Sequence, residues 1–424
     1  MKKMFTLATI MLCCSLLSFS QVTELWKFTA TAPGNGDDDV KNGFAVSLDG
    51  KKLYVSTRGA APNQIAIYDA ETGTKTSNYL PGLTGFVAAF GGVVAVDGNG
   101  AIYANNVTIG VGGNLRVGKW LNDTDVNPET FIDVNIANGD SRVGYGMDVY
   151  VDEEGNGFLL MHQNGTTNLL YWEIEENSAK AQEPIVVTIP GVSDQYARIS
   201  IVNKNTFWID GNLLKPYYCV MTRDEDNYAA PTSITPTLFG GSRFDFVAAP
   251  GGTTEFTLGE KRYLVFAGNQ HGNGIPGRNH FALLHEMAEE TGVAYAGTTT
   301  DAYYLPETGG LGVLIDGAHF VAPDVYVEGG NAYIYIMGGF NGFAAYKFTP
   351  TGVGISQVQA LSIQVQGGDI LVPAASGQSI EIFNVLGQKV QSVVASSDVT
   401  TISGLVQGQI YIVKVAGQTT KVIL

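Results

Sequence analysis

The sequence predicts an all-β protein built from a repeated four-stranded unit, with a second, smaller β module at its C-terminal end. Three observations carry that prediction. Short apolar runs recur along the chain, separated by Gly, Asn and Asp turns. Glycine is abundant, 53 of 424 residues, without the G-X-Y period of collagen, and only 15% of residues are charged. The runs group into units of roughly 45–75 residues, the length that four strands and their loops require.

The clearest unit begins at Gly43. Residues 43–48 read as strand A, Asp49-Gly50 as a tight turn, residues 51–56 as strand B, residues 64–69 as strand C, and Tyr79-Leu80 as strand D before Pro81-Gly82. Asp-Gly between alternating apolar runs is a strong hairpin signal. Five more A–B hairpins follow. Their turns are read at Asp97-Gly98-Asn99-Gly100, residues 152–157, Asn203-Lys204-Asn205, Gly251-Gly252 and Gly329-Gly330. The last unit ends with strand C at residues 344–349 and lacks strand D. Residues 22–29 read as a strand followed by Pro33-Gly34, which is the punctuation of a D strand. The expectation is a six-bladed β-propeller over residues 21–349, its last blade closed by the N-terminal strand 22–29 so that no edge is left open. A seven-bladed ring or two packed sandwiches are the alternatives. The first unit resembles the YVTN-type repeats of bacterial surface propellers. The degeneracy of the later units points to an uncharacterised family of secreted Bacteroidetes propellers.

The tail differs in composition. From Pro350 onward there are three Lys and three acidic residues, and no Trp, Cys or His. Residues 350–359 read as a linker. Short strands at residues 361–366, 379–384, 388–394, 409–415 and 419–424 predict a small Ig-like β-sandwich over 360–424. Within it stand residues 380–390, IEIFNVLGQKV, then Gly404-Leu405, then residues 408–415, GQIYIVKV, and Lys421-Val422-Ile423-Leu424 at the end. These resemble the C-terminal sorting domain of the Bacteroidetes type IX (Por) secretion system. Val372-Pro373-Ala374 stands where that family carries Pro-Asn-Pro. The resemblance implies passage across an outer membrane with the tail read by the secretion machinery.

The first twenty residues read as an export signal: Lys2 and Lys3, an apolar run at residues 5–19, and small residues at Ser18 and Ser20 before Gln21. A lipoprotein anchor at Cys13 or Cys14 is disfavoured, because Leu12 and Cys13 precede those cysteines. No later stretch is apolar for 18 residues, so no transmembrane segment is expected. The expected location is extracellular or on the outer cell surface. Cys219 is left as the one cysteine beyond the signal, in an apolar strand, and reads as an inert buried thiol. Net charge −16 and a pI near 4.7 argue against nucleic acid as a partner.

Chemical motifs are weak. Residues 272–277 match G-x-G-x-x-G, but Pro276 disturbs the turn and a strand follows where a dinucleotide site needs a helix. His280 and His285 lack zinc spacing. Asp123-x-Asp125-x-Asn127 starts like a calcium loop, but Pro128 and Val134 replace the required Gly and Glu, leaving at most a loose calcium site. No cofactor, catalytic constellation or metal site is read.

Topology offers more. The C–D loops are acidic, for example Asp69 to Glu71 and Asp123 to Glu129. The B–C loops on the opposite face carry Arg58, Asn105-Asn106, His162-Gln163-Asn164, Asp210, Asn269, His271 and Phe340. The D–A connections add Phe44, Phe86, Tyr145, Tyr196, Phe244 and Phe320, with Arg142, Arg243 and His319 nearby. An open face of amides and histidines beside aromatic rings suits a glycan or another small polar ligand. The expected ligand-binding residues are Arg58, Asn105, Tyr145, His162, Tyr196, Phe244, Asn269, His271, Phe320 and Phe340. The alternatives are a polysaccharide lyase or hydrolase using the same face, and a protein-interaction platform.

Overall fold

The computed structural model describes residues 22–29, 43–56, 65–81, 92–108, 113–136, 142–211, 214–224, 227–239, 250–268, 280–287, 303–312, 321–339, 341–350, 363–366, 368–373, 377–384, 388–397, 399–415 and 418–424. All regular elements among them are β-strands. The chain divides after Thr349 into two compact units.

Six antiparallel sheets make up the described part of the first unit. The first is β2 (Phe44–Val46), β3 (Lys52–Ser56), β4 (Ile65–Asp69) and β5 (Lys75–Leu80). The second is β6 (Val94–Val96), β7 (Ile102–Asn105), β8 (Asn114–Trp120) and β9 (Glu129–Asn135). The third is β10 (Val143–Val151), β11 (Gly157–Gln163) and β12 (Asn168–Glu175), with β13 (Ser178–Ala179) and β14 (Ile185–Thr188) both pairing to β12. The fourth is β15 (Arg198–Asn203), β16 (Thr206–Asp210), β17 (Tyr217–Thr222) and β18 (Ser233–Leu238). The fifth is β19 (Pro250–Leu258), β20 (Lys261–Gly268), β21 (Phe281–Glu286) and β22 (Tyr303–Leu305). The sixth joins both ends of the unit: β23 (Val321–Glu328), β24 (Asn331–Gly338), β25 (Gly342–Phe348), and then β1 (Val22–Thr29), antiparallel to β25.

The leading strands of successive sheets lie side by side. β2 neighbours β6, β6 neighbours β10, and the series continues through β15, β19 and β23 back to β2. These inner strands form a closed ring, with the sheets radiating from it in a propeller-like arrangement. Each junction between neighbouring sheets holds its own apolar cluster. This explains why the second strands are apolar throughout rather than alternating. In β11, Leu159 and Met161 face the second sheet, while Phe158 and Leu160 face the fourth. Burying each such side chain contributes about 1.5–3 kcal/mol.

Turns are held by local side-chain bonds. Asp97 Oδ1 accepts from the Asn99 and Ala101 N–H groups, both at 2.9 Å, and Asp152 Oδ1 accepts from Asn156 N at 2.7 Å. The fifth hairpin corrects the sequence expectation. Its turn is at Gly259-Glu260, whereas Gly251 and Gly252 lie inside β19. A Cβ on Gly251 would stand 2.5 Å from the Val321 carbonyl oxygen of the sixth sheet. These glycines serve the crowded axis, not a turn.

In the second unit, β26 (Gln364–Gln366), β27 (Asp369–Pro373) and β30 (Val399–Ile402) form one sheet. β29 (Lys389–Val394), β28 (Ser379–Asn384), β31 (Ile410–Val415) and β32 (Gln418–Ile423) form the other. Ile370, Val372 and Ile402 from the first sheet share one core with Ile380, Ile382, Tyr411 and Val413 from the second. β27 and β30, of five and four residues, are two strands beyond the five located from sequence, which left room for one or two more.

Candidate functional site

The inner strands enclose a cavity of about 450 Å³. Its polar wall groups include Asp148, Arg198, Ser200, Thr254, Glu255 and Asp324. Several of them tie neighbouring strands together. Asp148 Oδ2 accepts from Ile201 N at 2.6 Å, joining the third sheet to the fourth. Asp324 Oδ2 accepts from Val46 N at 2.7 Å, joining the sixth to the first. Thr254 Oγ1 donates to the Pro323 carbonyl at 3.0 Å, joining the fifth to the sixth. Burial raises the Asp148 carboxyl to about 7 and that of Asp324 to about 6, against the pull of their backbone donors. These groups hold the ring together.

Arg198 and Thr253 of the cavity wall belong to a denser polar cluster whose other members do not line the cavity. Tyr145 sits where the β10–β11 register shifts between Val143 and Met147, flanked by Gly144 and Gly146. A Cβ on Gly144, at φ +109°, would lie 2.3 Å from the Asn106 carbonyl oxygen, and one on Gly146 2.3 Å from that of Ala197. The two glycines let β10 pass between the second and fourth sheets, and the bulge aims the tyrosine. Arg142 Nη1 donates to Tyr145 Oη at 3.1 Å. The ring of Tyr196 meets that of Tyr145 edge to face, with centroids 5.0 Å apart.

Arg198 and Asp210 stand opposite one another in the β15–β16 register, and each charge favours the other. Thr253 Oγ1 donates to Asp210 Oδ2, while Asp210 Oδ1 is buried without a hydrogen bond. Burial pushes the Asp210 carboxyl up to about 7, against the pull of Thr253 and Arg198. Burial lowers Arg198 to about 10, so it remains a cation at neutral pH.

Beside this pair, the end of β11 places His162 and Asn164 on one side of the chain. His162 is fully buried, and burial lowers it to about 4, so the imidazole is neutral. Neither ring nitrogen makes a hydrogen bond of normal geometry, although the Thr166 backbone lies alongside. The Asn164 side-chain amide is buried with both of its polar atoms unbonded, while the backbone N–H of Asn164 donates to the Arg142 backbone carbonyl at 2.9 Å. Asp194 links the group: its carbonyl accepts from Gly165 N at 2.7 Å, its Oδ1 accepts from Tyr196 N at 2.7 Å, and its charge acts on His162.

The structure thus brings together Tyr145 and Tyr196 directly, and joins His162 to them through Asp194. Asn105 does different work. Its Oδ1 accepts from Val93 N at 2.8 Å, and its Nδ2 donates to the Asn106 and Gly144 carbonyls at 2.9 Å, stitching the second sheet to the third. Phe44 packs edge-on against Phe343 at the junction of the first and sixth sheets. Arg58, Phe86, Arg243, Phe244, Asn269, His271, His319, Phe320 and Phe340 lie outside the described residues. Contrary to the expectation of an open amide face, the described B–C residues Asn105, Asn106, His162, Gln163, Asn164 and Asp210 are all buried. Arg198 and Asp194 escaped the sequence reading. The one available signal was an arginine and an aspartate at matched ends of the hairpin that begins Arg198-Ile199-Ser200 and ends Trp208-Ile209-Asp210.

On the opposite face the acidic residues serve the fold. Asp123 pairs with Lys52, and Asp125 accepts from the Leu121 and Asn127 N–H groups at 3.0 and 2.8 Å. Among the described residues, no three His, Cys, Asp or Glu side chains converge as a metal site would require. Cys219 is buried, and burial pushes its thiol well above the usual range. No helix among the described residues is long and apolar enough to cross a membrane.

A family model, "Domain of unknown function (DUF4623)", matches residues 22–241. The chain belongs to the DUF4623 family. The matched span includes the whole candidate cluster except Thr253. A second model, "Domain of unknown function (DUF6383)", matches residues 351–424. No curated protein matches the chain. A crystal structure of a DUF4623 family protein from Bacteroides eggerthii is 16% identical, with a TM-score of 0.56 over 77% of this chain and 76% of that one. PorZ of Porphyromonas gingivalis, a surface component of the type IX secretion system, is 13% identical with a TM-score of 0.39 over 93% of this chain and 60% of its own. A subtype N10 neuraminidase-like protein from a little yellow-shouldered bat influenza A virus is 11% identical with a TM-score of 0.44 over 77% of this chain and all of that one. Both scores are too low to relate sites.

Proposed function

We propose that this DUF4623 protein is an exported binding module whose first unit is a six-bladed β-propeller that holds carbohydrate at the axial end beside Tyr145. One observation carries the reading: an aromatic pair, Tyr145 and Tyr196, is linked through Asp194 to His162, which with Asn164 is a buried polar side chain whose side-chain polar atoms make no hydrogen bond of normal geometry. A buried polar group left unpaired costs about 1–3 kcal/mol, which a ligand that pairs with it would recover. Sugar hydroxyls offer both donors and acceptors, and sugar CH faces pack on aromatic rings. The test is a glycan array probed with residues 21–424. Binding of at least one glycan class, lost in Tyr196→Ala, is the expected result; no signal from any glycan overturns the reading and favours a protein-interaction platform.

A second reading has its own support. The Asp210 carboxyl, at about 7 beside Arg198, could exchange a proton near neutral pH, as a lyase or hydrolase requires. Product release from a bound glycan selects it over the binding module.

Delivery rests on the ends of the chain. Residues 1–20 act as the export signal, and residues 360–424 as an Ig-like sorting domain for the type IX machinery. Tyr411 supports the Ig-like assignment: its Oη accepts from Val406 N at 3.0 Å and donates to Val406 O at 3.3 Å, the geometry of a tyrosine corner. Deleting 360–424 should leave a folded first unit in the periplasm. Normal amounts of the truncated protein in the medium or on the cell surface would refute the sorting role.

A further inference from the structure

We propose that the axial cavity docks a protein segment by taking its lysine or arginine side chain, from the hairpin-turn end, between Asp148 and Asp324. Tyr145 stands at the start of β10, the other end of the axis, so this site does not rest on the carbohydrate reading. The two aspartates begin the same four residues, Asp-Val-Tyr-Val, at 148–151 and 324–327. Their strands, β10 and β23, belong to the third and sixth sheets, which lie opposite one another in the ring. Both side chains line the cavity, and both residues keep part of their surface accessible. Each oxygen accepts one backbone N–H: those of Asp148 from Ile201 and Val149, those of Asp324 from Val46 and Val325. A carboxylate oxygen has two lone pairs, so each can accept a second donor. The N–H groups bring no net charge, and among the described residues no cation offsets either aspartate. The other charged groups of the wall are occupied. Arg198 faces Asp210, and Glu255 accepts from Arg262 Nε and Trp208 Nε1, both at 2.8 Å. The wall thus carries uncompensated negative charge, which suits an ammonium or guanidinium group.

The rim favours a polypeptide over a free amine. Leu48 and Val327, 54% and 39% exposed, are the exposed residues of the wall, and both lie beside the hairpin turns, next to half-buried Tyr326. The cavity therefore meets solvent at an apolar rim. A free diamine leaves these side chains in water, whereas a chain segment can lay the apolar neighbours of its lysine on them. The turns at this end add negative charge through exposed Glu153, Glu154, Glu260 and Glu328. Of the turn lysines, Lys51 and Lys261 are held by Asp49 and Glu286. A basic segment is steered toward such a mouth.

The experiment pans a displayed library of random heptapeptides on residues 21–424. Peptides with a lysine or arginine between apolar residues should be enriched. By calorimetry at pH 8, an enriched peptide should bind about tenfold or more tightly than its copy with glutamine at the basic position, as one lost charge-assisted hydrogen bond implies. The ratio should shrink at pH 5, where Asp148 and Asp324, at about 7 and about 6, are both protonated. Tyr335, which also feels the Asp324 charge, stays neutral at both pH values because burial raises its phenol. Asp148→Asn combined with Asp324→Asn should erase the preference and its pH dependence. Since those carboxyls also hold the ring, Leu48→Lys gives an independent check at an exposed position: it should weaken the peptide about tenfold with an unchanged melting temperature. No enrichment of basic peptides overturns the proposal. So does a glutamine copy that binds equally well, or a basic peptide indifferent to Leu48→Lys. Spermidine binding as tightly as the peptide also overturns it, because the occupant is then a free polyamine and the apolar rim plays no part.

Discussion

Removing residues 22–29 is expected to lower the melting temperature of the first unit by roughly 10 °C or more, far beyond the effect of trimming an ordinary terminus. β1 pairs with β25 along seven register positions and so covers the edge of the sixth sheet. It also leans on the first sheet. Trp26 Nε1 donates to Ala70 O at 3.0 Å, and a Cβ on Gly73 would lie 2.6–2.7 Å from the Phe28 and Trp26 rings. The Trp26 ring meets Phe343 edge-on, with centroids 5.2 Å apart, and lies 6.3 Å from Tyr335. One strand thus bonds to the last sheet and packs on the first. Trp26→Ala alone should cost about 2–4 kcal/mol, near the low end for a large aromatic because the ring is only half-buried. Thermal melts followed by circular dichroism measure both. An unchanged melt for the deletion would mean that β25 needs no covering strand.

Arg198→Met should destabilise the protein by about 3–5 kcal/mol at pH 8 and by much less at pH 5. Removing one partner of a buried ion pair strands the other charge. The stranded group here is Asp210, whose folded carboxyl titrates near 7, above the 3.8 of the free side chain. Between those values the folded state holds the proton more tightly than the unfolded chain, so this group's contribution to stability falls as pH rises. Arg198 lowers the Asp210 pKa, so its loss pushes the titration higher and deepens the penalty above pH 7. At pH 5 Asp210 is protonated in both proteins, and the charge penalty vanishes. Arg198→Met combined with Asp210→Asn should recover most of the stability at pH 8. Denaturant titrations at the two pH values decide it. Equal losses at pH 5 and pH 8 would show that the arginine acts through packing rather than through charge.

The strand grammar was legible because its signals are local. An Asp-Gly or Asn-rich turn folds with its immediate neighbours: the backbone N–H groups that donate to Asp97 Oδ1 and Asp152 Oδ1 lie at most four residues along the chain. Gly251-Gly252 misled for the same reason. A glycine pair looks alike in a turn and in a tight crossing, and only the approach of Val321 tells them apart. Tyr145, Tyr196 and His162 could be placed near one axis by counting repeats. Their partners could not be found that way, since Arg198 and Asp194 follow no repeat.

The sequence by itself determined the all-β class, most hairpin turns, and the change of character at Pro350, because alternation, turn chemistry and composition act over a few residues. Only the tertiary structure decided that the B–C amides are buried rather than displayed, and that Arg198, Asp210, Asp194 and Thr253 meet. The contacts responsible join residues far apart in the chain: Asp148 to Ile201 spans 53 residues, and Asp324 to Val46 spans 278. Such contacts form only when the ring of inner strands closes. Closure packs these side chains against neighbouring strands, and the burial raises the carboxyls of Asp148, Asp210 and Asp324 and holds His162 neutral.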